Sequence, residues 1–403
     1  MEAYDVLIVG GGAAGFFAAV NAAKQNPKLN IGILERGNSV LSKVKISGGG
    51  RCNVTHAEFI PNVLATHYPR GEKELKGPFH AFMTGDTVAW FESRGIPLKI
   101  EDDGRIFPVS NSAQTIIDCF LKEIQKYGVT LMKNHSLQSI APLENGWQLE
   151  TSKGLFSCQK LLIATGSNPK IWKLLAALGL HIISAVPSLF TFDIDDERIK
   201  DIPGVVAKNV YVEVLGTNLA SYGPLLITHS GLSAPSILKL SAFGAIELAA
   251  LNYCFDVKIN FIQQSEASCM QALLNSKSEL SKKQVRNSTI FNLPKRLWYK
   301  LVEASGISET LRWAEVNKSQ LQALSNQLTA AVFKVHGKST FKEEFVTAGG
   351  IDLKEIDFKT FESKRFKNLF FAGEILNIDG VTGGFNFQNA WTGAYLAAQE
   401  LSK

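Results

Sequence analysis

Several things are scarce in this chain of 403 residues. Cysteine occurs five times, at positions 52, 119, 158, 254 and 269. No two cysteines form a C-x-x-C pair, and none joins a cluster with metal-ligand spacing. A disulfide framework, a zinc site and a dithiol redox motif are therefore excluded as organising features. Such usage suits reduced thiols in a cytoplasm. Internal repeats, low-complexity tracts and Pro/Ser-rich linkers are absent. Residues 6–23 carry no charge and have almost the length of a membrane span. Three central glycines, with Glu2 and Asp5 just before the run, argue against both a span and a signal segment. No lipidation motif is present, so no membrane partner is expected. Histidine is also sparse, and none of the seven sits in a recognisable acid–base arrangement.

Glycine is plentiful, and its placement is informative. Residues 4–15 read Tyr-Asp-Val-Leu-Ile-Val-Gly-Gly-Gly-Ala-Ala-Gly. Residues 6–9 are a wholly apolar, β-branched run, as a buried parallel strand needs. Gly10, Gly12 and Gly15 stand at G-x-G-x-x-G spacing. Gly10 permits a tight strand-to-helix turn, Gly12 lets a pyrophosphate approach the backbone, and Gly15 lets the helix pack close on the strand. A helix over about 13–24 then aims its free N–H groups at the phosphates, beginning at Ala13 and Ala14. Residues 31–34 make a second strand ending in Glu35, a carboxylate placed to take an adenosine ribose, with Arg36 beside it.

That fingerprint serves NAD and FAD alike. Two later runs decide between them. Leu161-Leu162-Ile163-Ala164-Thr165-Gly166 is an apolar strand ending in Thr-Gly, and Leu369-Phe370-Phe371-Ala372-Gly373-Glu374 is another ending in Gly-Glu. This order resembles the glutathione-reductase-like flavoproteins, where the late strand places an acid on the ribityl or pyrophosphate part of FAD. Glu374 fits that role, with Asp379 as a second candidate. Then come Gly383, Gly384, Phe385 and Asn386, leading into a helix over about 387–401. A Gly-Gly start suits a helix N-terminus that comes close to a ligand and stabilises negative charge there. No second G-x-G-x-x-G occurs, so NADH or NADPH would dock directly over the flavin.

Between these lies Lys43-Val44-Lys45-Ile46-Ser47-Gly48-Gly49-Gly50-Arg51-Cys52-Asn53-Val54-Thr55. Three glycines followed by Arg and Asn make a loop of bare backbone donors, a cation and an amide, suited to a pyrophosphate and a flavin edge. Cys52 reads either as a small packed residue or as a thiol beside the flavin activated by Arg51. With Gly-Gly-Phe-Asn at 383–386 and Thr-His-Ser-Gly-Leu-Ser-Ala-Pro at 228–235, this block resembles one bacterial family. Its members are NAD(P)/FAD-dependent oxidoreductases, aminoacetone-oxidase-like or BaiN-like flavoproteins. The resemblance runs over nearly the whole chain. It implies an α/β fold: a discontinuous Rossmann-like FAD-binding domain, with a parallel sheet and a small antiparallel layer, carrying an inserted β-barrel and a helical subdomain. Implied cofactor contacts include Lys43, Ser47 to Asn53, Leu137, Thr165 and Gly166. Substrates in the family span amine oxidation, steroid reduction and reduction of a uridine in ribosomal RNA. Relatives usually follow the Ala-Thr-Gly strand with a longer glycine-rich loop; here Ser167-Asn168-Pro169 looks shortened.

Along the chain the domains are expected at 1–186 with 341–403 (FAD-binding), 187–263 (barrel) and 264–340 (helical). Residues 96–107 read as a hairpin turning at Asp102-Asp103-Gly104. Residues 115–127 read as an amphipathic helix, and 129–132, 135–140, 147–151 and 155–158 as short strands of the antiparallel layer. Residues 189–194, 205–215, 225–228 and 257–262 are strand-like, and 264–335 reads as helical with Pro294 at a helix start. Residues 264–338 hold 11 Lys or Arg against 5 Glu, or +6, whereas the whole chain is +5. This is either a solvated helical face or a patch for an anionic partner such as structured RNA. Candidate proton donors are His229, whose other reading is a structural or ligand-positioning role, then Tyr222 and Lys45; none is assigned as the catalytic residue. The expected chemistry takes hydride from NAD(P)H onto flavin and reduces an activated double bond in a small molecule. The alternatives are reduction of a ribosomal uridine and amine oxidation by O2.

Overall fold

The computed structural model describes residues 2–339 and 346–403. The chain divides into two compact units, residues 1–186 with 342–403, and residues 187–341.

In the first unit the strand Glu2–Val9 lies at the centre of a sheet. Ile31–Leu34 runs parallel on one side, Val6 opposite Ile31, and Gly154–Ile163 runs parallel on the other, Val6 opposite Lys160. Leu7, Ile8 and their neighbours are buried on both faces, which is why this stretch is continuously apolar rather than alternating. Thr130–Met132 adds in parallel beyond Ile31–Leu34. It therefore belongs to the main sheet and not to the antiparallel layer expected from its sequence. Its three residues are too few to display either pattern.

Gly154–Ile163 is one ten-residue strand rather than two short ones. Its first half pairs antiparallel with Gly146–Thr151, and its second half pairs parallel with Leu369–Phe371. The polar Gln159-Lys160 step reads as a break in the sequence, but Glu2–Val9 pairs along both halves. Leu137–Leu143 completes the antiparallel layer on Gly146–Thr151. Helices Ala13–Gln25 and Phe385–Leu401 pack on each other. Phe17 lies 5.1 Å from Trp391 and 4.6 Å from Trp90 between ring centres, in a core where Phe16, Phe120 and Trp391 are wholly buried. A short sheet of Thr55–His56, Leu98–Ile100 and Arg105–Pro108 carries the expected hairpin turn. Ile182–Pro187 and Thr347–Ile351 pair where the chain leaves and re-enters the unit.

In the second unit seven strands follow one antiparallel path. The order is Ala331–Val335, Phe255–Asn260, Val206–Val214, Ala220–Ile227, Gly231–Ser233, Thr191–Asp193 and Gly337–Ser339. The first and last of these are separated only by His336, so the sheet curls until its edges are joined by one residue. Ala331–Val335 lies in the stretch expected to be helical. Its alternating burial marks it as a strand, a period hidden after twelve residues of helix Lys318–Thr329. Helices Glu266–Glu279, Lys295–Ala304 and Lys318–Thr329 cover the inner face. Pro294 does stand at the N-cap of the second. Asn317 and Gln320 form a capping box at the start of the third. Leu297, Trp298, Leu321 and Leu324 share one core with Val212, Val257, Ile259 and Phe333, so strands and helices here bury their apolar faces in each other.

Candidate cofactor site

The fingerprint turn is built by close approach. Gly10 has φ +116°, and a Cβ there would lie 2.3 Å from the Ala164 carbonyl oxygen. A Cβ on Gly15 would lie 2.0 Å from the Gly10 carbonyl oxygen. Side chains at these positions would push strand from strand and helix from strand. Gly12 differs, because a Cβ there meets nothing within 4 Å. Its backbone faces open space, at the N-cap of the helix that begins with Ala13 and Ala14. The Glu35 carboxylate accepts from Gly11 N–H at 2.9 Å and from Gly37 N–H at 2.8 Å. It is thereby fixed beside the turn, with Arg36 exposed next to it. Leu137 is buried at the start of its strand, two residues past His135, whose N–H donates to the Glu35 carbonyl at 2.8 Å.

The late segments close on this turn. A Cβ on Gly373 would touch Ala14 at 3.4 Å, and one on Gly166 would lie 3.7 Å from the Glu374 carboxylate. Lys43 forms an ion pair with Glu374, linking the start of the Lys-Val-Lys block to the last sheet strand. The block itself is a helix, Ser42–Gly50, that breaks at Ser47; Gly48, Gly49 and Gly50 all take positive φ. Gly49 faces open space, as Gly12 does. Arg51 turns to Glu101 at 2.6 Å and lies 3.9 Å above the Phe107 ring. It is thus engaged within the protein and not beside the cysteine thiol. Cys52 is wholly buried, and burial pushes its thiol up to about 12, partly offset by Ser47. It holds no useful thiolate at neutral pH, which favours the packing role over the redox one.

Asp379 is also wholly buried, gripped by both guanidinium arms of Arg70. Asp379 is thus committed to Arg70, as Glu374 is to Lys43, but Glu374 is partly accessible where Asp379 is not. The Asn386 side chain bridges both backbone groups of Gly380, at 2.8 and 3.0 Å, closing a loop before the helix Phe385–Leu401. A Cβ on Gly384 would strike the Thr55 backbone at 2.6 Å, so this helix start is pressed against the end of the glycine block. His56 donates from Nδ1 to the Gly383 carbonyl at 3.0 Å. His56 and His67 both stack on Phe385, at 4.6 and 4.2 Å. The Tyr68 hydroxyl donates to the Phe385 carbonyl at 2.6 Å. None of Arg70, His56, His67 and Tyr68 is singled out in the sequence. Thr55-His56 directly follows the glycine block, which was the available signal for one of them.

Of the expected proton donors, His229 is exposed in the turn where Thr228 N–H donates to the Gly231 carbonyl, and Tyr222 is exposed on a strand of the second unit. Lys45 is exposed on the helix of the glycine block. No arrangement around these three marks a proton relay among the described residues. The shortened Ser167-Asn168-Pro169 turn is well formed: Asn168 caps the helix Pro169–Ala177 by accepting from Lys170 N–H.

A dinucleotide fits the cradle. Gly12 and Gly49 present bare backbone to it. Among the described residues, the buried Thr165 Oγ1 and Asn53 Oδ1, in the Thr-Gly strand end and the glycine block, have no hydrogen-bond partner. The whole chain, residues 4–400, matches the family described as HI0933-like protein Rossmann domain. The chain belongs to that family. It is 29% identical, over 100% of its length and 98% of the relative's, to the ribosomal RNA dihydrouridine synthase of Escherichia coli K12. It is 25% identical, over 98% of each chain, to the 3-dehydro-bile acid delta(4,6)-reductase of Clostridium scindens. In fold it is similar to 3-ketosteroid-delta4-(5alpha)-dehydrogenase of Rhodococcus jostii RHA1, with a TM-score of 0.52 at 12% identity, covering 100% of this chain and 97% of the other. The family places the chain among FAD-binding Rossmann oxidoreductases of the BaiN-like kind. No described helix is long and apolar enough to cross a membrane.

Proposed function

We propose that this protein is an NAD(P)H-fed FAD reductase that saturates the carbonyl-activated C5=C6 bond of a uridine in ribosomal RNA. The net reaction joins hydride from NAD(P)H and one solvent proton to that bond, yielding dihydrouridine and NAD(P)+. FAD, when bound, supplies two-electron hydride transfer. The residues of the chain bind and orient. The Ala13–Gln25 helix N-terminus and the bare Gly12 backbone would receive the pyrophosphate. Glu35 would hold the adenosine end and Glu374 the ribityl end, and the Phe385–Leu401 helix N-terminus would favour negative charge at the flavin.

The observation that carries the RNA substrate is the charge of residues 264–338. Lys282, Lys283, Lys295 and Lys318 are exposed and enter no ion pair among the described residues. Arg286, by contrast, pairs with Glu309 and lies 4.8 Å from the Tyr299 ring, so it belongs to the fold. Unpaired surface cations attract a polyanion in a salt-dependent way. The E. coli relative's name agrees with this reading.

The test is nucleoside analysis of ribosomal RNA from a deletion strain, together with modification of that RNA in vitro by purified protein and NAD(P)H. Loss of one dihydrouridine, restored in vitro, is the expected result. Replacement of Lys282, Lys283 and Lys295 by Glu should slow RNA modification and leave flavin bleaching by NAD(P)H nearly unchanged. A free steroid-like enone is the second reading, favoured by the C. scindens relative. Turnover of such an enone by a protein inert on RNA would establish it instead.

A further inference from the structure

The strands of the second unit have one face packed on helices and one face bare. Val210, Val212, Val214, Val257, Ile259 and Phe333 point inward and are buried. On the bare face, Tyr211 stands directly opposite Tyr222 on one neighbouring strand and Asn260 on the other. The two tyrosine rings lie 4.7 Å apart, tilted by 47°. Tyr222 is 65% exposed, the most exposed of the large hydrophobic side chains, and its hydroxyl has no hydrogen-bond partner among the described residues. Tyr211 is pinned: its hydroxyl donates to Glu213 at 2.8 Å, and Glu213 is paired with Lys258 at 2.5 Å. Three lysines stand on the same face. Lys258 lies one row away, Lys334 is exposed on the next strand, and Lys208 is exposed at the irregularity between Ala207 and Val210.

We infer that this bare face is a stacking platform for unpaired bases of RNA, centred on Tyr211 and Tyr222. A fixed ring beside an open ring offers flat π surface at little entropic cost. Lysines at the rim match the charge of a sugar–phosphate backbone running across the strands. Glu213 and Lys258 neutralise each other, so the cations the face offers are Lys208 and Lys334, both exposed and in no ion pair among the described residues. Rings on an open sheet flanked by cations are the chemistry by which proteins hold single strands without reading their sequence. The inference rests on the RNA reading above. It adds that the RNA must present an unstacked segment rather than a continuous helix.

The experiment uses full-length, FAD-loaded protein and a labelled uridine-rich single strand of about a dozen nucleotides, with a duplex of equal length as comparison. Wild type should bind the single strand more tightly than the duplex. Tyr222→Ser should weaken single-strand binding roughly tenfold, and Tyr222→Phe should bind within about twofold of wild type, because the ring and not the hydroxyl stacks. FAD content and bleaching by NAD(P)H should be unchanged in both. In Tyr222→Trp, added single strand should quench the indole fluorescence. Wild-type binding by Tyr222→Ser, or an unquenched indole, overturns the platform. If Tyr222→Ser binds as wild type does while the Lys282, Lys283 and Lys295 to Glu protein loses binding, the RNA reading stands and the platform falls. If wild type binds no RNA and forms no dihydrouridine, both fall.

Discussion

The two units hold their shapes by different means. In the first, backbone approaches backbone so closely that single methyl groups are forbidden, at Gly10, Gly15 and Gly384. In the second, shape comes from a shared apolar core of strands and helices, in which many side chains each contribute a little. Close backbone approach demands glycine at fixed places. Core packing demands only apolar residues of suitable volume, in many combinations. The first unit therefore tolerates no substitution at a few points, and the second tolerates partial damage at many.

The sharpest test of that contrast is Gly15→Val. A Cβ at 2.0 Å from the Gly10 carbonyl oxygen cannot be relieved by a rotamer. We expect loss of soluble yellow protein, read as flavin absorbance per chain; a variant that retains full FAD would break the comparison. Next is Arg70→Met, which leaves Asp379 charged and buried, at a cost of about 3–5 kcal/mol in urea unfolding. A further Asp379→Leu should recover much of it, since the penalty lies in burying a carboxylate without its guanidinium.

In the second unit, Leu324→Ala opens a cavity in a fully buried position. About 2–4 kcal/mol should be lost, with FAD stoichiometry unchanged. A coupled loss of FAD would show that the units are not energetically separate. Glu35→Ala removes acceptors for two backbone N–H groups. It should weaken FAD by roughly 1–3 kcal/mol in a titration of apoprotein. The smallest effect is at Asp352. The Lys354 backbone N–H, with His181 assisting, holds its carboxyl below the usual range. A lowered folded value stabilises above the unfolded value near pH 4 and is lost as pH falls through the folded one. Asp352→Asn should cost less than about 1 kcal/mol at pH 7, because its His181 partner is exposed and solvent screens the pair. Its melting curve should merge with wild type in acid.

The contrast also explains which parts could be read in advance. The fingerprint, the Thr-Gly and Gly-Glu strand ends and the Gly-Gly helix start were legible because each obeys a one-residue steric rule. Arg70 with Asp379, and His56 with Phe385, were not. They are pairs made neighbours by the fold, and Arg70 and His56 stand in no local pattern that points to their partners. Residues 331–335 were misread for a related reason: five alternating residues directly after a helix are too short a record of period two. Asp379 drew attention by its place near the late glycines, yet its chemistry is settled by an arginine far away in sequence.

One feature bears on how the protein comes into being. Leu369–Phe371 pairs with Gly154–Ile163, and the Phe385–Leu401 helix packs on Ala13–Gln25. During synthesis the amino-terminal strands leave the ribosome long before their partners exist. The intervening unit, with its own core, has time to fold first. A nascent chain therefore carries an unfinished sheet edge, beside Leu161 and Ile163, through most of translation. Cofactor capture is necessarily a late event, and a chain halted before residue 369 exposes a sticky edge instead of an enzyme.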